Sequence, residues 1–213
     1  FERFDTNAQE FQDFVKKQSE WLEQYALFMT LKTDNLYKNW SEWPSEYRNT
    51  QTVALEKYQK KNYNTITFWK FCQYKFFEQW EDLKNYANSK GVYIIGDISF
   101  YVGYDSVDVW AERQLFMMSA NDTPEYVAAA GPDKYSESGQ VWGNPMYEWN
   151  AMKEDNFSWW RKRMRVCREL FDIVRIDHFA GIVKAYAVPY GQDKSLSGKW
   201  FKGPGRRLVN AIN

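Results

Sequence analysis

The order of helical and extended patterns along this 213-residue chain restricts its fold more than any other sequence feature. Apolar residues spaced by three and four over 69–87 predict a long helix closed by Gly91, and a continuous apolar run follows at 92–95. The same succession returns later, with a helical pattern over 160–171 before a strand predicted at 172–178. Continuous apolar runs are typical of strands buried on both faces, and helix–strand repetition is typical of an α/β barrel. The pattern therefore predicts the α/β class, as a portion of a (β/α)8 TIM barrel with helical insertions.

The other segments predict helices near the N-terminus and long loops near the centre. Residues 7–31 carry a helical apolar pattern, in two pieces if Ser19 caps a second helix, and residues 32–50 predict a loop with short turns. The stretch 97–156 is polar with little periodicity, and loops of this length are commonly functional. A further helix is expected to begin near Gly205.

These segments suggest two regions. Residues 1–90 are expected to form a helical segment with one barrel helix. Residues 91–213 are expected to form part of a catalytic barrel, with two strands, long active-site loops and a truncated C-terminus. The chain begins at Phe1, already inside a patterned segment, and stops at Asn213 inside a predicted helix. We therefore expect it to belong to a longer protein.

Charge and cysteine content argue against several kinds of partner. The 28 Lys and Arg residues balance the 28 Asp and Glu residues, so no bulk charge attracts nucleic acid or an anionic membrane. Cys72 and Cys167 are far apart and predict neither a disulfide framework nor a metal site. No apolar run approaches the roughly 20 residues needed to span a membrane, and no signal peptide opens the chain. The cytoplasm is the expected location.

Aromatic residues make up 19% of the chain, with 11 Trp, 15 Tyr and 15 Phe. Large rings are typical of a hydrophobic core, and rings also line grooves that bind flat, weakly polar ligands such as sugars. Composition leaves both interpretations open.

Both predicted strands end in acidic residues, Asp97 in the first and Asp177 in the second. Side chains alternate along a strand, so Arg175 and Asp177 are expected on one face. An arginine beside a carboxylate favours its ionised form, which suits a nucleophile or an electrostatic stabiliser and suits a general acid poorly. A purely structural ion pair fits the same pattern equally well.

His178 is the only histidine in the chain. A single histidine without a nearby cysteine or second histidine is a poor metal ligand, and no serine or cysteine nucleophile motif surrounds it. A packed, hydrogen-bonded histidine and a functional one are equally compatible with its position. No glycine-rich nucleotide-binding motif occurs, and neither a metal nor another cofactor is predicted.

Three blocks of sequence resemble the 4-alpha-glucanotransferases of glycoside hydrolase family 77. The first is Gly-Asp-Ile-Ser-Phe-Tyr-Val at 96–102 with Asp-Ser-Val-Asp-Val-Trp at 105–110. The second is Pro-Asp-Lys-Tyr-Ser-Glu-Ser-Gly-Gln-Val-Trp-Gly-Asn-Pro at 132–145. The third is Val-Arg-Ile-Asp-His-Phe-Ala-Gly at 174–181, followed by Ala-Val-Pro and Lys-Gly-Pro-Gly. The blocks stand in the family's order over more than half of the chain.

The resemblance implies a retaining transfer of α-1,4-glucan segments. It makes Asp177 the nucleophile, with Arg175 and His178 holding the sugar and the carboxylate, and Asp105 binding the sugar at the cleavage site. An α-1,4-glucan or maltooligosaccharide would be the donor, and glucose or a maltodextrin the acceptor.

The resemblance also implies a mobile loop on the acceptor side, where Asp133, Tyr135, Trp142 and Asn144 would touch the glucan. Three positions depart from the family pattern. Lys134 stands where an aromatic residue is usual, Ser99 replaces a proline and Ala180 replaces an arginine.

The resemblance implies that the acid/base glutamate follows a later strand, beyond Asn213, and Glu112, Glu137 and Glu148 do not fit its position. We therefore expect these residues alone to be inactive. Two alternatives stay open: an α-amylase-type hydrolase, and a non-catalytic module that binds glucan.

Overall fold

A computed structural model describes residue 1 and residues 3–213 as two compact units, Phe1–Gly91 and Val92–Asn213. The first unit is helical. A short 3-10 helix, Trp40–Glu42, precedes its third α-helix. Its α-helices are α1 (Gln9–Lys17), α2 (Ser19–Asp34), α3 (Ser45–Arg48), α4 (Thr52–Lys61) and α5 (Tyr63–Ser89).

The prediction of two helices within 7–31 is confirmed, but Ser19 does not cap the second one. Gln18 is the N-cap residue of α2 and makes no side-chain capping bond. Leu22, Ala26 and Leu31 follow at helical spacing and are fully buried. The residues whose spacing predicted this helix were Trp21, Tyr25 and Phe28, of which only Phe28 is buried. Apolar spacing therefore predicts the helix but not the centre of its core face.

The long predicted helix is confirmed as α5, although its packed face is not the predicted one. The rings of Tyr74 and Phe77 contact α1 and α2, through Phe11 and Phe14 on α1 and Trp21 on α2. Aromatic residues occupy more than one face of α5, so spacing alone could not select the face that packs in this unit.

The second unit combines helices with two separate sheets. Its strands are β1 (Ile95–Ile98), β2 (Tyr126–Ala130), β3 (Gln140–Pro145), β4 (Ile173–Ile176), β5 (Lys184–Pro189) and β6 (Lys199–Lys202). Its α-helices are α6 (Val107–Ala111), α7 (Trp149–Glu154), α8 (Ser158–Leu170) and α9 (Arg206–Ile212). The predicted helix after Gly205 is thereby confirmed.

Strands β1 and β4 form a two-stranded parallel sheet in which Ile95 pairs with Ile173. The prediction of a strand at 92–95 is wrong in its position, because β1 (Ile95–Ile98) begins at the last residue of that apolar run. The Asp172 carboxylate accepts a 2.8 Å hydrogen bond from the Ile94 backbone N–H, so the sheet begins beside Ile94. Tertiary pairing, rather than hydrophobicity, sets the start of the strand.

The prediction that these strands are buried on both faces is also wrong for the described part of the chain. Ile95 is 63% exposed and Ile173 is 54% exposed, whereas Gly96 and Ile98 are buried. Each strand pairs with one neighbour among the described residues, and only one face of the pair packs against the unit. The structure is mixed α/β, and the described residues do not close a barrel.

The long loop predicted over 97–156 contains regular structure that sequence analysis missed. Strands β2 and β3 lie within it and belong to an antiparallel sheet of order β3-β2-β5-β6. Val127, Ala129 and Val188 form the buried cluster of this sheet, with Val141 and Tyr186 packed against it. Alanines carry little strand signal, and the surrounding Gly, Pro and Asp residues indicate a loop.

Helix α8 leads directly into β4. Trp160 and Met164 are buried on its inner face, as predicted. Among residue 1 and residues 3–213, no helix is both long enough and apolar enough to cross a bilayer.

Candidate active site

The ends of β1 and β4 bring two carboxylates to one arginine. Asp97 and Arg175 are direct partners in the sheet register, and Asp177 follows β4. Arg175 Nη2 donates a 2.6 Å hydrogen bond to Asp177 Oδ1, and Nη1 donates to Asp97 Oδ2. The predicted common face of Arg175 and Asp177 is confirmed. Because a guanidinium group can only donate, both carboxylates must accept, and this orients Asp177 at the strand end.

Asp97 belongs to this cluster although it was not among the predicted site residues. The sequence did carry a signal, because both strands end in an acidic residue and parallel strands end at the same edge of a sheet. In the structure, Asp97 and Arg175 form a direct ion pair.

His178 follows Asp177 in a left-handed backbone conformation, with φ of +44°. Its ring lies among three aromatic rings, with centroid distances of 5.0 Å to Trp142, 5.8 Å to Tyr101 and 6.1 Å to Phe100. Burial lowers the pKa of His178, and the adjacent Asp177 carboxylate raises it by a smaller amount. The neutral imidazole is therefore favoured, and it can both donate and accept a hydrogen bond to a sugar hydroxyl.

The segment after β1 is held by hydrogen bonds to three of its carbonyl oxygens. Arg163 Nη2 donates to Ser99 O at 2.8 Å and the Tyr147 hydroxyl donates to Phe100 O at 2.5 Å. Asn144 Nδ2 donates to Val102 O at 2.9 Å. Asn144 was predicted to touch glucan, but in the structure its amide nitrogen donates to a backbone carbonyl.

Asp108, on α6, is linked by a hydrogen bond to Trp159 on α8. Trp159 Nε1 donates to Asp108 Oδ1 at 3.1 Å, and the Arg163 guanidinium lies 4.7 Å and 4.9 Å from the ring centroids of Trp159 and Trp160. Burial raises the pKa of Asp108, and Arg163 and the bond from Trp159 oppose that shift. Sequence reasoning missed these residues, although an arginine three and four positions after two tryptophans indicates a cation–π contact on one helix face.

The loop between β2 and β3, residues 131–139, carries two of the predicted glucan contacts. Asp133 Oδ1 accepts bonds from the Tyr135 and Ser136 backbone N–H groups at 2.8 Å and 2.9 Å. Tyr135 is exposed, and Lys134 Nζ lies 4.7 Å from its ring centroid. Among the described residues, the contacts of Asp133 and Tyr135 lie within this loop.

Trp142, on β3, was predicted to touch the acceptor sugar, and its ring lies against His178 after the end of β4. Its indole Nε1–H donates to Gln140 Oε1 at 3.1 Å, and its ring meets His178 edge-on. Part of the ring stays exposed.

Asp105 lies on the segment that leads from β1 into α6. The following residue, Ser106, is the N-cap of α6, and its hydroxyl accepts a bond from the Val109 N–H at 3.3 Å. This cap fixes the backbone beside Asp105, whose side chain is exposed. Within the part of the chain that the structure describes, no cluster of His, Cys, Asp and Glu side chains is suited to a metal ion.

Comparison with known proteins identifies relatives of the whole chain. The 4-alpha-glucanotransferase of Clostridium butyricum is 40% identical over 203 residues, which are 95% of this chain and 42% of that protein. The enzyme of Aquifex aeolicus is 39% identical over 201 residues, 94% of this chain and 41% of that protein. The chain thus spans about two-fifths of the length of these relatives.

Solved structures give the same result. The amylomaltase of Streptococcus agalactiae, solved in complex with acarbose, superposes with a TM-score of 0.92 at 34% identity, over 100% of this chain and 43% of that one. The amylomaltase of Corynebacterium glutamicum shares the fold, with a TM-score of 0.76 at 17% identity over 99% of this chain and 27% of that one. The sequence model of glycoside hydrolase family 77, described as 4-alpha-glucanotransferase, matches residues 1–213, and the chain therefore belongs to this family.

Proposed function

We propose that this chain is part of a 4-alpha-glucanotransferase, which moves a segment of an α-1,4-glucan to the 4-hydroxyl of glucose or a maltodextrin. The observation that carries the proposal is the Arg175–Asp177 ion pair at the end of β4, in a chain of this family. In the complete protein, residues 91–213 would contribute two strands to a (β/α)8 barrel, and residues 1–90 its helical insertion and one barrel helix.

In the donor step, Asp177 attacks the anomeric carbon and the bond from that carbon to the leaving glucan oxygen breaks. A carboxylate attacks through one oxygen, and the bond to Arg175 uses Oδ1, so Oδ2 serves the attack. Arg175 holds the carboxylate in place, and the neutral imidazole of His178 binds a hydroxyl of the same sugar. The product is a covalent glycosyl-enzyme and a shortened glucan.

The leaving oxygen needs a proton from a second carboxyl group, roughly 5–5.5 Å from the first in retaining enzymes. Two of the alternative glutamates in this chain make local hydrogen bonds. Glu148 caps α7 by accepting from the Asn150 N–H, and Glu112 accepts from the Gln114 amide. We propose that the acid/base residue lies outside this chain and that the chain alone has no turnover.

In the second step, the 4-hydroxyl of an acceptor sugar, rather than water, attacks the anomeric carbon. Its proton passes to the acid/base carboxylate and the bond to Asp177 breaks, which restores both carboxyl groups. This outcome requires a site that binds a second sugar and excludes water. Trp142 offers an exposed ring face next to His178, and the loop with Asp133 and Tyr135 adjoins β3. The acarbose complex of the Streptococcus agalactiae amylomaltase supports a carbohydrate-like ligand for this site.

The proposal is tested with the full-length protein, maltotriose and separation of the products by size. Free glucose together with chains longer than three units is the expected result. Glucose and maltose alone would indicate an α-amylase-type hydrolase, and an unchanged substrate would favour a binding module.

Asp177→Asn is expected to lower transfer by at least about a thousandfold while leaving glucan binding intact, since the amide keeps the shape and loses the nucleophile. Asp82→Asn, on the exposed surface of α5, is the matched control and should transfer normally. Transfer by Asp177→Asn near the wild-type rate would refute the nucleophile assignment.

A further inference from the structure

Ser195 is a fully buried polar residue in an otherwise exposed connection. It lies between β5 and β6, where Asp193, Lys194 and Leu196 are exposed. A buried hydroxyl that found no partner would cost free energy, so its bonds identify what the burial serves.

The bonds of Ser195 join the two ends of the loop 131–139. Its hydroxyl lies 2.5 Å from Ala130 O, at the end of β2, and 3.1 Å from Ser138 O, just before β3. Its backbone N–H donates a second bond to Ser138 O at 3.0 Å. One residue therefore fixes both points at which the loop leaves the sheet.

A tyrosine of the antiparallel sheet holds Ser195 in place. The Tyr186 hydroxyl on β5 donates a 2.7 Å bond to Ser195 O. Gly139 leaves room for the contact, because an added Cβ there would lie 1.7 Å from Ser195 Oγ, and its φ of +66° also favours glycine. The chain from Tyr186 through Ser195 to the loop is continuous and sterically matched.

We propose that Ser195 is a positioning residue for the acceptor side of the site. This inference rests on the proposed transferase function. The loop that Ser195 closes carries Asp133 and Tyr135, whose own contacts lie within the loop, so its two ends decide where these side chains stand. Arg175, Asp177 and His178 make no bond with Ser195 in the described structure. Loss of the bonds of Ser195 should therefore weaken acceptor use and leave the donor step nearly unchanged.

The test uses the full-length protein with α-maltosyl fluoride as donor and glucose as varied acceptor. The burst of fluoride release in the first turnover, measured without glucose, reports the donor step, and formation of the longer sugar reports acceptor use. Ser195→Ala should raise the KM for glucose about fivefold, the factor expected for one neutral hydrogen bond. The fluoride burst without acceptor should change by less than about twofold, well under the factor expected for one lost hydrogen bond.

Two further variants sharpen the comparison. Tyr186→Phe removes the hydroxyl that donates to Ser195 O and should also raise the KM for glucose. The double variant should show less than the product of the two effects, because both act through Ser195. Ser197→Ala changes an exposed serine in the same connection and should match the wild type.

Amide hydrogen exchange of residues 131–139 gives a readout that does not depend on activity. Ser195→Ala should exchange faster there, and at the wild-type rate in α8. Unchanged exchange, or equal losses in the donor step and in acceptor use, would overturn the inference. A wild-type protein that releases fluoride but forms no longer sugar would refute the transferase proposal, and exchange would still decide whether Ser195 holds the loop.

Discussion

Arg175 binds two carboxylates at once, and this sharing determines the geometry of the residues around it. Asp97 holds one edge of the guanidinium from β1, so the other edge meets Asp177 in a fixed direction. A planar guanidinium keeps such directions better than an ammonium group, so lysine would not replace it. At the scale of single residues, the side chain of Asp177, the proposed nucleophile, is therefore oriented by contacts from two strands.

Trp142→Ala tests whether this ring serves acceptor sugars. Its ring is partly exposed and meets one neighbour edge-on, so we expect its removal to cost about 1 kcal/mol of stability or less. The KM for glucose should rise about tenfold, which corresponds to about 1.4 kcal/mol. Thermal unfolding and acceptor kinetics measure the two effects.

Trp80→Ala is the matched control, because Trp80, on α5, is also a partly exposed tryptophan. It should leave the KM for glucose unchanged. If Trp142→Ala lost stability and acceptor use in equal measure, Trp142 would be a packing residue.

The titration of His178 tests the environment beside Asp177. Burial lowers the pKa of His178 in the folded protein, below the usual 6.5. Between the folded-state value and pH 6.5, the unfolded chain binds more protons than the folded one. This group's contribution to stability is therefore full above pH 6.5 and is lost as the pH falls through the folded-state pKa.

Nuclear magnetic resonance of ¹⁵N-labelled histidine in the full-length protein measures this pKa, with His178→Gln assigning the signal. A midpoint below 6.5 is expected. A midpoint above 6.5 would mean that the charge of Asp177 outweighs burial.

At the scale of elements, the segment after β1 owes its shape to side-chain donors on its carbonyl oxygens. Tyr147→Phe removes the donor to Phe100 O and leaves a buried carbonyl without it. We expect a loss of about 1–2 kcal/mol in the free energy of unfolding. Tyr190→Phe, on a half-exposed tyrosine, should cost nothing measurable, and equal losses in the two variants would contradict this role for Tyr147.

Helices α1, α2, α5, α8 and α9 and the two parallel strands could be predicted, because the helices repeat apolar residues at helical spacing and the strands form apolar runs. The short helices α3, α6 and α7 and the helix α4 were not predicted. The start of β1 could not be predicted, because pairing with β4 and the Asp172 carboxylate decide it. The antiparallel sheet was missed for a related reason. Ala128 and Ala129 are buried, yet alanine has no side-chain pattern that marks a strand.

At the scale of the whole molecule, the described residues leave apolar strand surface uncovered. Tyr93, Ile95 and Ile173 are exposed beside the β1–β4 pair, where further strands of a barrel would pack. Exposed edges and apolar faces of this kind favour association between chains. The family relatives are more than twice as long as the matched region, which agrees with the proposal that other parts of the protein cover this surface.

The candidate site could be predicted only in part. The ion pair of Arg175 with Asp177 follows from strand alternation, and the roles of both residues come from family resemblance. Asp97 and the support from Arg163 depend on contacts between segments distant in sequence, 78 residues apart for Asp97 and Arg175 and 64 for Arg163 and Ser99. Such contacts have no local sequence pattern.

Trapping the glycosyl-enzyme tests the account's central claim most directly. The full-length protein is incubated with a glucosyl fluoride carrying a second fluorine at C5, which slows breakdown of the covalent intermediate, and its peptides are analysed by mass spectrometry. The anomeric fluoride leaves and the C5 fluorine stays, so we predict one added 5-fluoroglucosyl group on the peptide that contains Asp177, and none in the Asp177→Asn variant. A label on another carboxylate, or turnover of the reagent without any covalent label, would contradict Asp177 as the nucleophile of this transferase.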